Sequence, residues 1–118
     1  MTNKRIYIAA RGCGKTKWLI NSIFKEYKNN PNRTFLYVGD ERTYHYIADR
    51  YLETYNKRCP IIYAISDEFI IGCHDYDTVC FTDNLFGSGD IAFQHKRQIE
   101  NRNIPWYITI DDEDIVTE

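Results

Sequence analysis

Eight consecutive residues, Ala9-Ala10-Arg11-Gly12-Cys13-Gly14-Lys15-Thr16, place two glycines, an ammonium and a hydroxyl in an order that suits a bound anion. Glycine accepts left-handed backbone that other residues resist, so Gly12 and Gly14 let the chain curl until several amide N–H groups converge. Lys15 adds positive charge at that point, and the Thr16 hydroxyl supplies an oxygen of the kind Mg²⁺ accepts. The ligand this combination suits is a phosphate group. The residues expected to surround it are Ala10, Arg11, Gly12, Cys13, Gly14, Lys15, Thr16 and Lys17. The competing reading is a glycine-rich turn that caps a helix and is followed by Lys-Thr by coincidence. The flanking sequence argues against that reading, because an apolar run leads into the loop and a helical pattern leads out of it.

The elements around the loop alternate between strand and helix signals, the pattern of βαβ units in an α/β fold with a mostly parallel sheet. Lys4 to Ala10 reads as a short buried parallel strand. From about Lys15 to Tyr27, Leu19, Ile20, Ile23, Phe24 and Tyr27 fall on one helical face, and Asn29-Asn30-Pro31-Asn32 stops the helix. Thr34–Val38 is the second strand. Asp40 is placed to cap a second helix with Tyr44, Ile47, Ala48, Tyr51, Leu52 and Tyr55 along its apolar stripe, ending before Cys59-Pro60. Ile61–Ile65, Thr78–Thr82 and Trp106–Ile110 are three further apolar runs, each followed by an acidic residue within two positions. A weaker helix is predicted over roughly 90–102, and 66–77 has no readable pattern. The expectation is one domain over residues 1–118, with four to five strands flanked by about three helices.

The order strand, loop, helix, with Arg11-Gly12-x-Gly14-Lys15-Thr16 at the turn, resembles the Walker A loop of the P-loop NTPases, in the flavour found in phage terminase ATPases and small phage-encoded P-loop proteins. The likeness is confined to residues 4–27. The motif departs from Gly-x-x-x-x-Gly-Lys-[Ser/Thr] at its first position, where Ala9 replaces Gly; a positive φ there would strain an alanine. The resemblance implies a minimal P-loop domain that binds Mg²⁺ and a nucleotide, ATP ahead of GTP, with slow NTP hydrolysis in a phage process such as DNA handling. It also implies a second carboxylate, the Walker B group, to hold Mg²⁺ through water. Asp83, ending Val79-Cys80-Phe81-Thr82, is the preferred candidate. Asp111 or Asp112, ending the last run, is the alternative, because in the family the last strand more often flanks the loop strand and bears a polar sensor, here Thr109 or Asp111. The expected catalytic pair is therefore Lys15 and Asp83, with Thr16 and Asp83 at the metal. Asp83-Asn84 also reads as a plain strand-ending turn. Asn84 stands where many relatives of this type carry a Glu that activates water, which implies slow hydrolysis or a base from elsewhere, such as Glu113 or Glu68.

Charge is divided unevenly. Residues 1–59 hold 12 Lys and Arg against 5 Asp and Glu, and residues 60–118 hold 3 against 12. The basic half suits nucleotide or DNA phosphates, and the acidic half suits a phage or host protein that reads nucleic-acid-like charge, although solvated helix faces and an acidic tail account for the same numbers. Two other functions remain open. One is a degenerate P-loop interaction or inhibitor module without catalysis, and the other is a small kinase. Arg97 and Arg102 are the arginines considered for a catalytic role. Completion of the site in a homo-oligomer is a further expectation from the resemblance. Cys13, Cys59, Cys73 and Cys80 read as reduced thiols; Cys73-His74 and His95 lack the paired Cys spacing of a zinc site. No run of residues is long and apolar enough for a membrane span, so a cytoplasmic location is expected.

Overall fold

A computed structural model describes residues 4–10, 12–64, 77–84, 99, 102 and 104–111. It is an α/β structure with the element order β1 (Lys4–Ala9), α1 (Lys15–Asn29), β2 (Thr34–Tyr37), α2 (Glu41–Tyr55), β3 (Ile62–Tyr63), β4 (Thr78–Thr82) and β5 (Trp106–Asp111). The five strands form one sheet in the order β1-β5-β4-β2-β3, and every pairing is parallel. All carboxyl ends therefore lie along one edge of the sheet, where side chains from strands far apart in sequence can meet.

The central strands β2, β4 and β5 are buried at nearly every position because both faces of the sheet are covered there. Phe35 and Tyr37, Val79 and Phe81, and Tyr107 pack with Leu19, Ile20 and Ile23 of α1 and Ile47 and Tyr51 of α2. The alternate residues Leu36, Val38, Cys80, Trp106, Ile108 and Ile110 form a second cluster with Ala64, Ile99 and Ile104. Both helices thus sit on one face of the sheet. Asp40 caps α2 by accepting from the Thr43 amide at 3.3 Å. Asn56 ends that helix in a left-handed conformation with φ of 53°.

Three expectations change. The strand at Lys4–Ala9, read as buried, lies at the end of the sheet order with only β5 beside it, leaving Ile6 and Ile8 about half exposed. A short apolar run does not distinguish an edge strand from a central one. Leu52, read as part of the apolar stripe of α2, is 51% exposed, because Ile47 and Tyr51 already fill the contact with the sheet. Two helices are seen among the described residues where about three were expected. The third, roughly 90–102, falls almost wholly outside them, although Ile99 is helical and buried.

One buried hydroxyl ties three strands together. Trp106 Nε1 donates to Thr82 Oγ1 at 2.9 Å, and Thr82 Oγ1 donates to the Val38 carbonyl at 2.7 Å. Thr82→Val keeps the shape but leaves an indole N–H and a carbonyl without this partner. It should lower stability by about 2–4 kcal/mol, read from the urea unfolding midpoint.

Buried phenols make the fold sensitive to alkali. Burial pushes Tyr51 and Tyr107 from 10.0 up to about 12 and Tyr37 higher still, with the Glu26 carboxylate adding to the effect at Tyr107. Ionisation is thus favoured in the unfolded chain, so the stability these groups contribute is complete below pH 10 and is lost as pH rises from 10 toward 12. The urea midpoint should fall across that window, and Tyr51→Phe should make the fall less steep.

Candidate functional site

The loop after β1 has the backbone its glycines imply. Gly12 and Gly14 lie at φ of 78° and 81°, and a Cβ added at either would meet nothing within 4 Å, so conformation and not space demands glycine. Ala9 belongs to the extended strand β1, paired in register with Asp111, and has no positive φ. The departure from glycine at position 9 therefore introduces no strain. Cys13 N–H donates to the Ala10 carbonyl at 3.2 Å and closes the turn.

The start of α1 has no negative charge in its own first turn. Gly14 occupies the cap position without any side-chain cap, and the first turn contains no acidic residue. Lys15 and Lys17 stand there instead, against the preference of a helix N-terminus for negative charge. The contrast with α2 is informative, since that helix has an Asp cap and Glu41 in its first turn.

Lys15 is almost buried, at 7% exposure, and turns back into the loop. Its Nζ donates to the carbonyls of Ala9 at 3.1 Å and Ala10 at 2.7 Å and lies 2.8 Å from Asp111 Oδ1. Thr16 Oγ1 donates to Asp83 Oδ2 at 3.0 Å. The contact is a hydrogen bond, and it sets a hydroxyl oxygen beside a carboxylate oxygen at the start of α1.

Asp83 is held from several directions. Thr109 Oγ1 donates to its Oδ1 at 2.5 Å, and the Asp83 N–H donates to Tyr37 Oη at 3.2 Å. Thr109 also accepts from the Asn84 N–H at 2.7 Å, fixing the turn in which Asn84 takes a φ of 54°. Asp83-Asn84 is thus a strand-ending turn and at the same time an oriented carboxylate.

These groups share an open cavity of about 370 Å³ lined by Gly12, Gly14, Lys15, Thr16, Lys17, Arg50, Asp83, Asn84 and Asp111. Sequence spacing had singled out most of them. Arg50 was missed: it lies among the charged residues of α2, and nothing in the pattern of that helix points toward the loop. Arg102 is not among the lining residues, and Arg11, Glu68, Arg97, Asp112 and Glu113 lie outside the described residues, as do Cys73, His74 and His95. No helix among the described residues is long and apolar enough to cross a membrane.

Comparison with known proteins yields no matching family, curated protein or solved structure. The reading of the cavity therefore rests on its own geometry.

The Lys15–Asp111 pair supplies a direct test. Asp111→Asn removes the charge partner of a buried ammonium and should lower the stability of the protein by about 3–5 kcal/mol, read from the urea unfolding midpoint.

Proposed function

We propose that this chain binds a nucleoside triphosphate with Mg²⁺, ATP in preference to GTP, at the loop Ala10–Lys17, and hydrolyses it slowly. The observation that carries this reading is the junction at the start of α1. An uncapped helix N-terminus follows two left-handed glycines, with Lys15 beside it and Thr16 bonded to a carboxylate 67 residues away. Converging amides and the helix dipole favour phosphate oxygens, and Lys15 and Lys17 add charge. Thr16 and Asp83 are the residues that would hold Mg²⁺, which when bound would neutralise charge on the β- and γ-phosphate oxygens.

The arrangement β1-β5-β4 gives this reading added support. The strand bearing Asp83 is separated from the loop strand by β5, whose end contributes Thr109 and Asp111. This is the placement that the family resemblance implied for its sensor strand. The extended conformation of Ala9 removes one argument for a degenerate loop. Slow turnover is the expectation from Asn84 standing directly after Asp83, at the position where the resemblance implies a Glu that activates water. The preference for ATP rests on the absence of an Asn-Lys-x-Asp guanine motif from the sequence.

Thermal unfolding with Mg²⁺-ATP and Mg²⁺-GTP tests the proposal. At about 100 times its dissociation constant a ligand adds about 2.7 kcal/mol, and ATP should raise the melting temperature of the wild type accordingly. Lys15→Ala should abolish the shift. Because Lys15 is buried and paired, Thr16→Val serves as the second variant, expected to fold normally and to lose the Mg²⁺-dependent part of the shift. A folded wild type that melts at the same temperature with and without either nucleotide would sink the reading.

A further inference from the structure

A second cavity, of about 490 Å³, lies at the other end of α1. Its walls include Phe24 and Tyr27 of α1 and Tyr51 of α2, and its lining cations are Lys28, Lys57 and Arg58. With about 1.5 Å of rise per residue, the lining residues Phe24 to Lys28 of α1 stand about 15–20 Å along the helix from the phosphate loop. The two cavities share no lining residue.

The chemistry of the second cavity is specific in two respects. Its three cations have no carboxylate among the lining residues, and none of the three forms an ion pair among the described residues, where Arg33, Arg50 and Lys15 do. The dipole of α1 accounts for Lys28, which sits in its last turn. It does not account for Lys57 and Arg58, which follow the left-handed cap Asn56 of α2. The aromatic wall is ordered. Phe24 stacks on Tyr55 with centroids 4.0 Å apart, Phe24 also contacts Tyr51, and Tyr27 packs edge-on against Phe35 at 85°. Tyr27, 37% exposed, is therefore a ring held by the core with part of its surface in solvent.

We infer that this cavity binds single-stranded nucleic acid, with a base against Tyr27 and backbone phosphates against Lys28, Lys57 and Arg58. Its volume falls within the range of about 300–1,000 Å³ typical of small-ligand sites, enough for a nucleotide unit. A fixed aromatic ring beside unpaired cations is the combination that holds single strands without regard to sequence. A duplex keeps its base faces stacked inside and cannot offer them to Tyr27. The site does not depend on nucleotide binding at the loop, since it shares no residue with that cavity.

The test is fluorescence anisotropy of a labelled oligothymidylate of about ten nucleotides with the full chain at low salt. Wild type should bind, with log affinity falling against log salt at a slope of roughly −2, as expected for about three neutralised phosphates. Lys57→Glu with Arg58→Glu should weaken binding at least tenfold. Tyr27→Ala should weaken it roughly 5- to 100-fold, and Tyr27→Phe should leave it intact. Thr16→Val, which keeps the fold, should have no effect on the oligonucleotide even where it removes the Mg²⁺-dependent part of the ATP-induced melting shift, so failure of one assignment is distinguishable from failure of the other.

Four results would overturn the inference. They are absence of binding by the wild type, loss of binding in Thr16→Val, an equal loss in Arg42→Glu at the opposite end of α2, and inorganic polyphosphate binding as tightly with Tyr27→Ala silent. The last of these would make the cavity a site for polyanions and not for bases.

Discussion

A buried ammonium has to be satisfied from several directions at once, and Lys15 imposes that condition on everything around it. Its acceptors are two carbonyls at the end of β1 and a carboxylate at the end of β5. The three can coincide only if β1 and β5 are adjacent, parallel and in a register that sets Ala9 opposite Asp111, as they are. The same register brings Thr109 to the level of Asp83, one residue beyond the end of β4, and so fixes the carboxylate that meets Thr16. Parallel pairing throughout is thus what gathers residues 9–16, 83–84 and 109–111 at one edge. An antiparallel β5 would carry Asp111 to the opposite end of the sheet.

Most of this was legible in the sequence for a physical reason. Strands buried on both faces are mostly apolar, with any polar residue hydrogen-bonded, so 34–37, 78–82 and 106–111 stand out as nearly continuous runs, and the helix between the first two declares itself by its 3.6-residue period. The loop was legible because only glycine accepts the φ values at positions 12 and 14 without strain. What could not be read is what depends on the neighbours of each element. The composition of Lys4–Ala9 is that of a buried strand, yet its position at the end of the sheet leaves Ile6 and Ile8 half exposed. Leu52 has the periodicity of a core residue and lies on the outside. Arg50 reaches the cavity from a helix whose charged positions look interchangeable in one dimension. Whether Asp83 or Asp111 faced Thr16 was open for the same reason, since each ends an apolar run.

The two helices begin in opposite ways, and that contrast separates folding from function along the chain. The start of α2 is satisfied internally by Asp40, which accepts from Thr43, with Glu41 beside it. The start of α1 has glycine and lysines, residues that add nothing to helix stability at that end and that the dipole disfavours. Its stability has to come from elsewhere, chiefly from Leu19, Ile20 and Ile23, all buried against the sheet. Packing of the middle of α1 thereby leaves the residues of its first turn unconstrained by the stability of the helix.

Each group assigned to phosphate or metal already has a substitute partner within the protein. Asp111 and two carbonyls surround Lys15, and Asp83 accepts from Thr16. Such internal satisfaction is what allows nearly buried charged groups to exist at all in the free protein, because an unpaired ammonium at 7% exposure would be strongly disfavoured. Under the function proposed above, binding energy at this site is a difference. What phosphate and Mg²⁺ would gain by contacting Lys15 and Thr16 would be offset by the contacts those residues give up. A weak acceptor such as an isolated carbonyl is displaced at little cost, whereas a buried carboxylate 2.8 Å away is displaced only by a ligand of comparable charge density. The loop is therefore expected to discriminate by charge before it discriminates by shape, favouring the terminal phosphates of a triphosphate over singly charged anions. That selectivity arises from Asp111, a residue that need not touch the ligand at all.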